Sequence, residues 1–271
     1  MERDPFFVAQ LPKPGGLSFD SHSNWIERVK YVREKNGIPT SPLVVTSIGA
    51  YNHAREIAKM LKSDCRDTST ILNKDNDYKA LYLIGFYFKP DGGRNFHPDI
   101  IEKFTKPGVK KIVHFVGADI YWLRKFKYEE LRYISYVLNQ ECEHILCETE
   151  MARKELENFG IKAKIVPIPP YSDFTVKPLP EKFSVAIFLS NKSDFDKYCK
   201  EETLSIVRAM PMIQFNSYGD VKDISYPNIK NHGNLDRKEW EKFVYDNSCY
   251  LRIVRHDTRP LATDEFLMAG R

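Results

Sequence analysis

Residues 144–168, HILCETEMARKELENFGIKAKIVPI, decide the fold. Residues 144–147 form a short apolar run of strand length. Residues 151–159 then space their apolar side chains as an amphipathic helix, and Gly160 supplies the stop that a helix end favours. Residues 163–168 turn apolar again. A strand, a helix and a second strand in so few residues require a crossover that returns the chain in the same direction. Strands that are apolar throughout belong in a parallel sheet covered on both faces.

The same alternation extends upstream. Residues 5–11 (PFFVAQL), 43–48 (LVVTSI), 80–88 and 111–116 (KIVHFV) read as strands. Residues 24–35, 52–62, 98–104 and 128–139 read as helices, with Ala54, Ile57, Ala58 and Leu61 on the inward side of the second. Prolines 167, 169, 170, 178 and 180 then crowd one interval, which stiffens the chain and reads as a linker. Beyond it the pattern restarts. Strands are predicted at 183–189, 212–216, 228–233 and 249–254, and helices at 202–210, 237–245 and 263–269. The expected class is α/β: two Rossmann-like domains with mainly parallel sheets, residues 1–177 and 178–271.

Bulk composition excludes several classes. With 271 residues, 42% hydrophobic and 29% charged, the chain has material for sizeable cores. Its longest apolar run, residues 80–88, falls short of the ~20 residues a membrane helix needs. The N-terminal residues lack a signal-peptide layout, so a cytoplasmic location is expected. Five cysteines without a CxxC pair argue against a disulfide framework, and no His/Cys spacing suits a metal. The net charge is only +4, and no nucleic-acid motif accompanies it. Lys103, Lys106, Lys110, Lys111, Arg124, Lys125 and Lys127 lie near Tyr121, Trp122 and Phe126. That mixture is either a solvated face or a contact for phosphates or an anionic membrane.

Residues 252–270, RIVRHDTRPLATDEFLMAG, follow a strand and enter a helix. They resemble the donor-binding segment of retaining GT-B glycosyltransferases, the nucleotide-sugar group called family 4. That signature has two acids separated by seven residues, then small residues and a glycine. Asp257 and Glu265 take the acidic positions, and Ala269 and Gly270 the small ones. The family's first acid is normally glutamate, so Asp257 is one methylene shorter. The resemblance implies that Asp257 binds hydroxyls of the donor sugar, that Glu265 binds the ribose, and that the amides of Leu261, Ala262 and Thr263 meet the diphosphate. Free amides at a helix start suit such an anion, and a carboxylate accepts sugar hydroxyls strongly. The plainer alternative is that Asp264 and Glu265 only complement the helix dipole.

Other residues extend the resemblance. Gly15 and Gly16 are similar to the glycine loop after the family's first strand, though a tight turn would need them too. His114, with Asp119 beyond it, resembles the family's histidine near the donor sugar; a core histidine is the alternative. Gly233 and Leu235 match the turn lining the base pocket. The phosphate-binding loop after the strand at 183–189 carries Lys192 and Lys197 rather than the family's Gly-Arg pair, and Arg255 or Arg259 could serve instead. The strands and helix that normally close the second domain do not follow Arg271, so that domain is expected to be incomplete.

The implied activity is sugar transfer with retention from a UDP-, GDP- or ADP-sugar to an unidentified acceptor, without cofactor, metal or protein nucleophile. A nucleotide-sugar epimerase of the same fold and a non-catalytic donor-binding module are the rivals.

Overall fold

The computed structural model describes residues 43–46, 51–66, 80–85, 108–168, 174–190, 198–221, 224 and 226–271. The expected elements at 5–11, 24–35 and 98–104 lie outside the described residues, as do Gly15, Gly16, Lys192 and Lys197.

In chain order the elements are β1 (Leu43–Thr46), α1 (Tyr51–Leu61), β2 (Asp64–Cys65), β3 (Ala80–Ile84), β4 (Lys110–Phe115), α2 (Ala118–Leu123), α3 (Tyr128–Glu141), β5 (His144–Cys147), α4 (Glu150–Asn158) and β6 (Lys164–Ile165). A second series follows: β7 (Ser184–Leu189), α5 (Lys200–Ala209), β8 (Gln214–Gly219), β9 (Ile229–Asn231), α6 (Arg237–Asp246), β10 (Cys249–Leu251) and α7 (Leu261–Met268). Two sheets result, ordered β2-β1-β3-β4-β5-β6 and β10-β7-β8-β9. Every pairing in both is parallel. The α/β class and the two parallel sheets are those the sequence predicts.

Period-two alternation sorts the first core. Leu81, Leu83, Val113, Phe115, Ile145 and Cys147 pack with residues of α2, α3 and α4 on one face. Their neighbours Ala80, Tyr82, Ile84, Ile112 and Leu146 pack with Ala54, Ile57 and Ala58 of α1 on the other. Strands apolar on both sides are therefore covered on both sides, as parallel sheets require. In the second sheet Val185, Ile187 and Leu189 meet Leu204 and Val207 of α5. Ala186 faces Phe243 and Val244 of α6 and Phe266 of α7.

Local signals set the element ends. Thr149 caps α4 by accepting from the amide of Ala152 at 3.1 Å. Gly160, at φ +77°, ends it while Ile161 donates back to Leu156. Asp236 and Glu239 form a capping box on α6. Some boundaries differ from the sequence prediction. Residues 163–168 pair only at Lys164–Ile165, because β6 is an edge strand that soon leaves the sheet. Between the expected strand at 111–116 and the expected helix at 128–139 lies α2, whose six residues are too few to show a clear helical period.

Gly219 ends β8 with φ +122°, and a Cβ there would sit 2.0 Å from the carbonyl oxygen of Leu189. Gly219→Ala should destabilise the fold by about 3 kcal/mol, from combined backbone strain and overpacking. Chemical denaturation of wild type and variant measures it, and coincident midpoints would contradict the close approach.

Candidate functional site

Parallel strands point all their C-terminal ends to one edge of each sheet, and the loops leaving those ends build sites there. In the first sheet these are the loops after β4 and β5. In the second they include residues 252–260, which leave β10, the strand on the opposite side of β7 from β8. The strand order reverses direction between β7 and β10, which is where a crevice opens in such sheets.

The loops of the two sheets touch. Gly117, between β4 and α2, has φ +105°; a Cβ on it would lie 3.0 Å from both Asp257 Oδ1 and Thr258 Oγ1. Only glycine permits both the backbone angle and the approach. Thr258 Oγ1 donates to Glu148 Oε2 at 3.3 Å, and Arg259 donates to the carbonyl of Ile168 at 3.2 Å. His256 pairs through Nε2 with Glu155 Oε2 of α4 at 2.7 Å. The segment after β10 is thus held against the first sheet's loops over four successive residues.

Charges concentrate at this contact. Asp257 accepts from Arg252 at 2.7 Å, with both side chains largely buried. Arg252 also donates to the Tyr250 hydroxyl, which shares a 2.7 Å bond with the Tyr218 hydroxyl. Its guanidinium lies over the rings of Phe188 and Tyr198. Burial opposes that charge, but Tyr250, Tyr218 and Asp257 hold it firmly protonated. Asp119 is fully buried, accepting from the amides of Val116 and Ile120. Glu148 is 4% exposed at the end of β5. Burial pushes its carboxyl up to about 8, with Arg259 opposing and Asp119 adding to the rise.

The second expected acid lies deeper. Glu265 accepts from the Trp240 indole at 2.6 Å and pairs with Arg237 at 2.9 Å, both from α6. Burial raises its carboxyl above the usual range, while Arg237 and Trp240 pull it back. Helix α7 begins after Pro260 with no side-chain cap, and Thr263 donates to the Pro260 carbonyl. Asp264 is paired with Arg259 at 2.6 Å. Leu261 and Ala262 occupy the first turn. Gly233, at φ +68°, follows β9 and accepts from the amide of Gly219. Leu235 packs beside the α6–α7 core.

His114 is placed differently from these. It is wholly buried in β4, with Nδ1 2.8 Å from the Tyr82 hydroxyl, and burial pushes it down to about 3. It is a neutral ring in the core facing α1. Three residues at the crevice carry no sequence signal of their own: Glu148 follows a strand, Arg252 continues one, and Glu155 sits on an ordinary amphipathic helix. The partners of Glu148 and Glu155 are distant in the chain, so only the fold brings them together, whereas Arg252 reaches Asp257 within its own segment. A carboxylate directly at a predicted strand's C-terminal end is the one cue that would have found Glu148.

Among the described residues no group of three or more His, Cys, Asp or Glu side chains is placed to hold a metal ion. No helix among them is long and apolar enough to cross a membrane.

No protein-family model matches the chain, and no curated protein matches it. Solved structures do. The chain is similar to HepE of Anabaena, in complex with UDP and glucose, at TM-score 0.49 and 12% identity over 90% of this chain and 72% of that one. It is also similar to TarM of S. aureus, in a complex that includes UDP, at TM-score 0.45 and 13% identity over 70% of this chain. The chain spans 40% of the length of TarM. The lipopolysaccharide outer core galactosyltransferase WaaB matches at TM-score 0.40 and 8% identity, over 78% of this chain and 74% of that one.

Glu148 makes stability depend on pH with a definite sign. Its folded value lies above the ordinary 4.5, so the folded state binds the extra proton and stability falls as pH rises from 4.5 through about 8. Glu148→Gln keeps an acceptor for Thr258 and removes the titration. The wild-type profile should therefore decline relative to that of the variant across this window, measured by denaturant midpoints. Parallel profiles would mean that Glu148 is ionised throughout.

Proposed function

We propose that the chain transfers a sugar from a nucleotide-sugar donor to an acceptor with retention of configuration, as a GT-B-type glycosyltransferase. The observation that carries the reading is the placement of Asp257 and Glu265. One carboxylate lies within the loop of residues 252–260 and the other in the second turn of a helix whose start no side chain caps. Both sit on the C-terminal side of a parallel sheet, and Asp257 lies against Gly117 of the other sheet. This matches the segment whose sequence resembles the donor site of family 4.

In this reading the donor's diphosphate lies at the start of α7, near the amides of Leu261 and Ala262. Arg252 supplies the cation nearest Asp257, and the phosphate-holding role that the resemblance implies stays with Lys192 and Lys197. Asp257 accepts hydroxyls of the donor sugar, and Arg252 fixes its orientation. Glu265, held by Trp240 and Arg237, takes the ribose, with Gly233 and Leu235 toward the base. The acceptor binds on the side of residues 1–177. Its hydroxyl oxygen bonds to the anomeric carbon on the face from which the nucleoside diphosphate leaves. The bond to the diphosphate breaks, and the hydroxyl proton passes to the departing phosphate oxygen. Fixed dipoles and cations favour the charge that develops there. The chemistry invokes no metal and no protein nucleophile. His114 shapes β4 behind the site as a neutral, hydrogen-bonded core residue.

Calorimetric titration with UDP, GDP and ADP tests the assignment. One nucleotide should bind. Glu265→Gln should weaken it about tenfold, some 1.4 kcal/mol. Asp257→Asn should leave the nucleotide's affinity within about threefold while weakening the corresponding nucleotide sugar more, because that carboxylate meets only the sugar. Failure of the wild-type chain to bind any of the three would overturn the reading.

A further inference from the structure

The segment 252–260 belongs to the second sheet, yet much of its anchoring comes from the first. Its best-buried polar anchor is His256, whose side chain is 5% exposed against 11% for Glu155. Glu155 is itself gripped by Arg124, the residue that ends α2. Carboxylate, imidazole and guanidinium therefore form one chain from α2 through α4 to the loop. Tyr121 of α2 packs on the imidazole at 5.9 Å between ring centroids. The other ring nitrogen, Nδ1, is buried without a hydrogen-bond partner among the described residues. The Glu155 contact is thus the polar tether that sets this ring. Burial works against the charge of Glu155, but His256 and Arg124 hold its carboxyl below the ordinary range, so it is a carboxylate at neutral pH.

The residue after this tethered histidine is Asp257. Its backbone leaves His256 directly, and its Oδ1 already touches Gly117 and accepts from the Thr258 amide at 3.1 Å. A rotation of the His256 backbone would swing the Asp257 carboxylate out of that slot. Arg252 holds the other oxygen but comes from the same segment, so it cannot fix the segment against the first sheet. Glu148 and the Ile168 carbonyl hold only the residues downstream.

We propose that Glu155 is a positioning residue for the donor site: acting through His256, it docks the loop after β10 onto the first sheet's helices and sets the Asp257 carboxylate in the crevice. The inference rests on the donor-site reading of Asp257. It also makes the first half of the chain part of the donor site, at a residue that touches no donor atom. Donor recognition and the relative placement of the two halves then become one property. Loss of Glu155 leaves the buried imidazole with neither nitrogen paired, and loss of His256 leaves Glu155 to Arg124 alone, so either change unties the loop from α4.

The experiment compares wild type with Glu155→Ala, Glu155→Gln and His256→Phe. Hydrogen exchange of residues 252–260 reads the docking. Calorimetry with UDP, GDP and ADP, and with the sugar conjugate of whichever binds, reads the site. Glu155→Ala and His256→Phe should speed exchange in this segment about tenfold and leave strands β4 and β7 unchanged. They should weaken the nucleotide sugar about tenfold more than the free nucleotide, because Asp257 meets only the sugar. Glu155→Gln keeps an acceptor for the imidazole and should recover at least half of both effects. A general loosening that includes β4 and β7, or equal losses for nucleotide and nucleotide sugar, would reduce Glu155 to a structural residue and overturn the proposal. So would unchanged exchange, or a glutamine variant as impaired as alanine. If the segment loosens as expected but wild type binds no nucleotide, the donor-site reading fails and takes the positioning role with it, while unchanged exchange beside normal nucleotide binding sinks the positioning role alone.

Discussion

A single missing methyl group lets the two sheets of this protein meet. At Gly117 the chain turns with a positive φ, and its hydrogen faces the carboxylate and hydroxyl of Asp257 and Thr258. A larger side chain would strain the backbone at this angle and press on the side chains of Asp257 and Thr258. The contacts that flank this point depend on the same spacing: Thr258 to Glu148, Arg259 to Ile168, and His256 to Glu155. The crevice is therefore defined by how closely two backbones approach, and its polar side chains are arranged around that approach.

The approach has an electrostatic cost. Asp119, Glu148 and Asp257 are brought together out of water, opposed by Arg252 and Arg259. Burial itself is the main penalty on a charged carboxyl here, the neighbouring acids add to it, and one of the acids responds by keeping its proton. Glu148 does this, since Asp119 is satisfied by backbone amides and Asp257 by an arginine. The result is a site whose charge state differs from that of the same residues in water, which is a common property of functional crevices.

Much of the architecture was legible because parallel α/β sheets write their periodicity plainly. β3, β4, β5 and β7 are apolar on both faces, and α3, α4 and α6 carry clear stripes. Short elements escaped: α2 has six residues and β2 only two, too few for a period. The acids Asp257 and Glu265 were legible as a spaced pair, but their settings were not. That Glu265 would be gripped by Trp240 and Arg237 depends on α6 packing beside α7, a tertiary fact. His114 illustrates the opposite case, where a polar residue in an apolar strand has a core partner in Tyr82. Glu148 and Glu155 gained significance only through residues brought to them by the fold.

The crevice also bears on the order in which this chain acquires its structure. Paired strands within each sheet lie no further apart in the chain than β7 and β10, where Ser184 and Ser248 are 64 positions apart, whereas the bridging bonds join residues 101, 110 and 91 positions apart. Closing such long loops costs entropy that must be met before the contacts return it. Each sheet can therefore condense around its own helices first, with the bridges following as a late docking step. A population of chains could then show full secondary structure and two formed cores while the crevice between them does not yet exist. Far-ultraviolet dichroism would count such chains as native, and only a probe of the seam would not.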